Sequence, residues 1–162
     1  MWWFRKLFLV GFCLFVSSCG YEPIYGPSGA SKRLDGNVSI DAPSNREAYV
    51  LYHQLENRLK DSKDGEYKLS FRVSKTSSRA AIDEDGRAHR AVLEGIATYD
   101  LRRIIDNKSV TSGSVKGFTG YSTLAASVAS HAASRDATQR LMTSLAEKIV
   151  YELVLVANKG VI

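Results

Sequence analysis

Hydrophobic residues along this chain repeat with two different periods, and the switches between them outline a fold. Ala48, Leu51, Tyr52, Leu55 and Leu59 recur every three or four residues, while Glu47, Gln54, Asn57, Arg58 and Asp61 fall between them. That spacing predicts a helix with one apolar face. Ser44 followed by Glu47 has the S-x-x-E spacing of a capping box, which satisfies two orphan backbone donors at a helix start, and the helix should end near Asp64-Gly65. From Glu66 to Ser74 the period drops to two. Tyr67, Leu69, Phe71 and Val73 alternate with Lys68, Ser70, Arg72 and Ser74, as in a strand with one wet face.

A second alternating run extends from Ala88 to Ile105, with Ala91, Leu93, Ala97, Tyr99 and Leu101 in one row and Val92, Glu94, Thr98, Asp100 and Arg102 in the other. It predicts a long strand. Asp106-Asn107 makes a two-residue turn, and Lys108 to Phe118 returns as a strand in which Gly113 and Gly117 mark bulges or bends. Upstream, Val38 and Ile40 alternate with polar neighbours in a short strand that Pro43 ends. The C-terminal part reverts to the helical period, with Leu141, Leu145, Ile149, Leu153 and Val156 in one row and Met142, Ala146, Val150 and Val154 beside it. Its regular part starts at Ser134 or Asp136, or further upstream if the Ala-rich run from Ala125 joins it. Strand, helix, three strands in meander, helix is the element order of an α+β two-layer sandwich: two helices packed on a small, mostly antiparallel four-stranded sheet.

The N-terminal end is patterned differently. Arg5 and Lys6 precede an uncharged apolar run from Leu7 to Val16, the charged and apolar regions of a secretory signal. The run is well short of the roughly 20 apolar residues that cross a bilayer. Val16-Ser17-Ser18-Cys19 resembles the bacterial lipobox, an aliphatic residue and two small ones before a cysteine that is acylated and becomes the first mature residue. Cys13 follows Phe12 and does not fit, and cleavage after Ser18 leaves Cys19 no partner for a disulfide. Several acyl chains on one cysteine anchor far more firmly than a single marginal myristoyl group. Residues 1–18 are therefore read as signal peptide, 19–35 as an acylated tether broken up by Pro23, Pro27 and three glycines, and 36–162 as one domain.

Charge narrows the partners. The chain holds 22 basic and 17 acidic residues, net +5; without Arg5 and Lys6 the balance is 20 against 17, or +3. Such a small excess, with no run of five like charges, argues against a nucleic-acid binder. It allows a local patch for an anionic partner. Candidate contacts for anionic phosphates are Arg79 and Arg87 flanking the Asp83-Glu84-Asp85-Gly86 turn, Arg90, Arg102 and Arg103 on the long strand, and Lys108 and Lys116 on the returning one. The turn itself is no EF-hand loop, because Val92 stands where the bidentate glutamate is needed. His53, His89 and His131 lack metal-type spacing and neither G-x-S-x-G nor S-x-x-K occurs in the mature chain, so neither an enzyme nor a metal or cofactor is expected.

The segment Cys19-Gly20-Tyr21-Glu22-Pro23-Ile24-Tyr25-Gly26 is similar to the mature start of the LPS-assembly lipoproteins of the LptE family, especially their alphaproteobacterial branch. Ser-Asn-Arg-Glu-Ala opening the first helix, the meander, and Ser134-Arg-Asp-Ala-Thr-Gln-Arg-Leu leading into Leu145-Ala-Glu-Lys-Ile extend the likeness over most of residues 19 to 157. The resemblance implies a lipoprotein on the periplasmic side of the outer membrane, a placement that Gly20 rather than aspartate after Cys19 favours. It further implies partnership with an LptD-type β-barrel, which the protein would plug and help assemble, and contact with lipopolysaccharide on its way to the cell surface. The alternatives are an auxiliary lipoprotein of a lipid-transport ABC system or another envelope adaptor, and a periplasm-facing lipoprotein enzyme.

Overall fold

A computed structural model describes residues 31–86, 88–123, 127–160 and 162. The chain runs through a short helix α1 (Ser31–Leu34), a short strand β1 (Val38–Ile40), helix α2 (Arg46–Leu59), strands β2 (Tyr67–Ile82), β3 (Ala88–Arg103) and β4 (Ser109–Ser122), and a long helix α3 (Ser127–Asn158). The strands lie in the order β1-β2-β3-β4, with β1 parallel to β2 and the other pairings antiparallel. Leu69 and Val73 of β2, Leu93, Ala97, Tyr99 and Leu101 of β3 and Val115 of β4 all point to one face and are buried under α2 and α3. The α+β sandwich expected from the periods is the observed architecture. One helix was not expected: α1 lies in the stretch read as tether, and its Leu34 is fully buried beside Leu59, Val150 and Val154.

Local details depart from the sequence pattern in instructive ways. The cap of α2 is Asn45 rather than Ser44: Asn45 is extended and its Oδ1 accepts from the Ala48 N–H at 2.7 Å. With the helix starting one residue later, Glu47 cannot close a capping box and turns instead to Lys75, 2.8 Å away. Asn45→Ala should lower stability by about 1 kcal/mol, read from the denaturant midpoint at unchanged slope; an unmoved midpoint would show that water caps the helix equally well. At its other end α2 stops at Leu59, short of Asp64-Gly65, because Lys60 takes a left-handed conformation (φ 52°). The freed Asp61 then receives the Ile40 N–H at 2.9 Å and the Tyr52 hydroxyl at 3.1 Å, tying β1 to α2.

The meander is longer than the hydrophobic alternation showed. β2 continues past Ser74 to Ile82 although its outer half is polar, because it keeps its register against β3 from Lys75↔Gly95 to Ile82↔Ala88. Between β3 and β4 the two-residue turn at Asp106-Asn107 is replaced by a wider one, closed by Arg103 N–H donating to Lys108 C=O at 3.0 Å, with Asn107 left-handed (φ 53°). The register shift falls between Leu101 and Arg102, not at Gly113 or Gly117. Those glycines have another use. Gly117 pairs with Gly95, and a Cβ on Gly95 would sit 3.0 Å from Leu145 Cδ1 and one on Gly117 3.2 Å from Leu141 Cδ1. The pair is a flat saddle on which α3 rests. In α3 itself Ala157 rather than Val156 completes the buried row, and the helix already runs at Ser127, as the upstream alternative had it.

Candidate functional site

The two helices cover one face of the sheet and leave the other open. Register places rows of side chains across that open face: Lys68, Arg102 and Ser109 at one end, then Ser70, Asp100 and Ser112, then Arg72, Thr98 and Ser114, then Ser74, Ile96 and Lys116, then Thr76, Glu94 and Phe118, and Ala80, Arg90 and Ser122 at the far end. Hydroxyls dominate. Cations are spread among them, and Phe118 stands 83% exposed with Ile96 diagonal to it. A hollow of about 240 Å³ opens between Ser70, Arg72, Thr98 and Asp100. Such a face offers N–H and O–H donors to an anionic, hydroxyl-rich ligand and one aromatic platform.

The basic residues singled out from the sequence do not form a single patch. Arg102 belongs to the row at one end of this face, while Arg103 and Lys108 bracket the β3–β4 turn beyond it. Arg90 lies at the other end, twelve residues along β3 from Arg102, about 40 Å at the rise of a strand. Lys116 lies between them on β4, and Arg79, exposed, projects on the helix-bearing side of β2. Arg87 and Cys19 lie outside the described residues. Arg102 and Arg103 are also engaged, with Arg102 Nε 2.6 Å from Asp100 Oδ2 and Arg103 Nη1 3.3 Å from Asp106 Oδ2. Lys68 and Arg72 share the open face but were not among the sequence candidates. Their place in the polar row of β2 was legible; that this row continues through Thr98 to Ser114 needed the register.

Two carboxylates, Asp100 beside Arg102 and Glu47 beside Lys75, are held in their charged form. Asp100 is lowered from the usual carboxylate range, chiefly by the hydrogen bond from Ser109 Oγ at 2.6 Å, with Arg102 assisting and partial burial opposing. Glu47 is lowered chiefly by its hydrogen bond from Lys75. A carboxylate whose folded pKa is depressed contributes stability that is complete above its unfolded pKa and disappears as pH falls through the folded one. Acidification should therefore destabilise the domain progressively through and below the ordinary carboxylate range, and Asp100→Asn should flatten that part of the pH profile; an unchanged profile would mean that Asp100 contributes nothing. Tyr99 under the sheet moves the other way, its hydroxyl raised by burial and secondarily by Glu152.

On the helix side, a groove of about 470 Å³ runs between the start of α2 and the middle of α3, lined by Arg46, Glu47, Lys75, Arg135 and Gln139 among others. Lys75 is committed to Glu47 and to Thr138 Oγ1 at 3.3 Å. The histidines stay apart: His53 pairs with Glu56 and His89 with Asp83. Among the described residues no cluster of His, Cys, Asp and Glu is arranged to hold a metal ion, and no helix is long and apolar enough to cross a membrane.

No family model and no curated protein matches the sequence. The fold, by contrast, is shared with solved structures. A candidate lipoprotein from Caulobacter crescentus superposes with a TM-score of 0.69 at 21% identity, covering 82% of this chain and 98% of that one. Rare lipoprotein B from Shewanella oneidensis gives 0.58 at 10% identity over 76% and 96%, and a minor lipoprotein from Acinetobacter baumannii 0.55 at 13% over 73% and 88%. At these identities the likeness is one of fold.

Proposed function

We propose that the protein is a cell-envelope lipoprotein, acylated at Cys19 and held in the periplasmic leaflet of the outer membrane. It plugs and supports the assembly of an LptD-type β-barrel and assists the delivery of lipopolysaccharide to the cell surface. The observation that carries this is a conjunction: a V-S-S-C lipobox stands ahead of a body whose fold recurs in bacterial proteins described as lipoproteins, rare lipoprotein B among them. The open face suits the role. Its serine and threonine hydroxyls, with Lys68, Arg72, Arg90, Arg102 and Lys116, present donors to sugar hydroxyls and phosphates. The work is binding and positioning, without a cofactor.

Purification of the tagged full-length protein from outer membranes in mild detergent, followed by mass spectrometry of what accompanies it, is the direct test. A large β-barrel at one-to-one stoichiometry is the expected result. Recovery of ABC-transporter or periplasmic components with no barrel would overturn the barrel assignment while leaving the lipoprotein assignment standing.

A further inference from the structure

Ile104 and Ile105 stand side by side on the β3–β4 turn, 52% and 89% exposed, and Ile105 is the most exposed large hydrophobic among the described residues. Single exposed apolar side chains are ordinary on a protein surface. Here two are adjacent, at the extremity of a hairpin, on a turn where three backbone amides are paired: Arg103 N–H donates to Lys108 C=O, Ile104 N–H to Glu66 C=O, and Lys108 N–H to Asp106 Oδ1. The turn can therefore enter a less polar medium without leaving these amides unpaired.

The position of the turn relative to the start of the folded body says what covers it. Asn37 C=O accepts from Tyr67 N–H and its Oδ1 from Glu66 N–H, and Glu66 C=O accepts from Ile104 N–H. The beginning of β1 and the isoleucine turn are thus joined by one chain of hydrogen bonds across the end of the sheet. Cys19 and Ser31 are twelve positions apart, a stretch that even fully extended spans about 40 Å. The two isoleucines thus stand at the end of the sheet where the described body begins, the end that the segment leading from Cys19 meets first. Ile82, by contrast, lies at the opposite end of β2, and Phe118 on the open face.

We propose that the β3–β4 turn is a second membrane contact, seating Ile104 and Ile105 at the headgroup–acyl boundary of the leaflet that holds the anchor. This rests on the lipid-anchor part of the function proposed above, not on its barrel part. Arg102, Arg103 and Lys108 ring the turn, with Asp100 and Asp106 between them. Long basic side chains lay their methylenes along apolar surface and keep their heads in the headgroup layer, so the ring limits insertion to a shallow depth. Two attachment points, the acyl chains and the turn, would also fix the orientation of the body, where a tether alone leaves it free to tumble.

The test uses the full chain, expressed and processed, in a Cys13→Ser background with Ile105→Cys carrying an environment-sensitive fluorophore. A matched chain carries the probe at Ser78→Cys on the far part of β2. Both are reconstituted into vesicles of three parts phosphatidylethanolamine to one part phosphatidylglycerol, with and without a nitroxide at a shallow acyl position. Attachment by the anchor is read separately, from co-sedimentation with the vesicles and from the absence of a free thiol at Cys19. The expected result is a blue-shifted, intensified emission at position 105 that the nitroxide quenches, and an aqueous, unquenched probe at position 78. A chain that sediments with vesicles while position 105 stays aqueous overturns the wedge and leaves the anchor intact. A probe that becomes shielded only when the barrel is added, and without lipid quenching, also overturns it and makes the turn a protein contact. A chain with a free Cys19 thiol that does not sediment removes the anchor and the wedge together.

Discussion

Leu145→Asp should leave the domain unfolded or close to it. Leu145 is fully buried, and its Cδ atoms lie against the backbone at Gly95 and Gly117, so a carboxylate there would be buried without a donor or a cation to meet it. Deleting the leucine side chain alone costs about 2–5 kcal/mol in a core. Burying an unpaired carboxylate adds to that, so the total reaches the lower part of the roughly 5–15 kcal/mol that holds a domain together. Leu145→Met is the volume-conserving control and should cost less than about 1.5 kcal/mol. Thermal or denaturant unfolding followed by circular dichroism reads both. An aspartate variant with an unchanged melting temperature would mean that α3 does not rest on the glycine saddle.

The second large effect concerns attachment. Cys19→Ala should abolish incorporation of labelled fatty acid and release the protein from the membrane fraction, or leave it uncleaved with its signal segment in place. Each buried methylene contributes about 0.8 kcal/mol to anchoring, so loss of several acyl chains removes essentially all of it. Fatty acid still incorporated by the variant would sink the assignment of Cys19 as the lipid-bearing residue. The folded body should be unaffected, since it is built from Ser31 onward among the described residues.

Much of the architecture was legible because both periods were unbroken where the core lies. The strict alternation of Tyr67, Leu69, Phe71 and Val73, and the row Ala91, Leu93, Ala97, Tyr99 and Leu101, record one face against helices and one face open, and the buried positions follow them. Illegibility set in where burial did. The outer half of β2, Lys75 to Ile82, has no apolar alternation because neither of its faces meets a core, and only its pairing with β3 keeps it extended. Asn45 and Ser44 are equally good caps by residue type, and which one closes α2 depends on where the preceding loop delivers the chain. Gly113 and Gly117 were marked as irregular; in the structure they are places of close approach, the first under the Tyr99 hydroxyl, the second under Leu141 and Leu145.

For the candidate site the division is sharper. Local sequence sufficed for what neighbouring residues set: the alternation that made two helices and a meander, and the polar row on each strand. Tertiary structure decided everything set by register and topology. It set Lys68 and Arg102 opposite each other on the open face, and put the isoleucine turn at the end of the sheet where the described body begins. The physical reason is one of range. Periodicity and capping are governed by contacts within a turn or a pleat, which the order of residues states directly, whereas a shared surface is assembled from residues of different strands, and a shift of one residue in pairing sends every side chain to the opposite face.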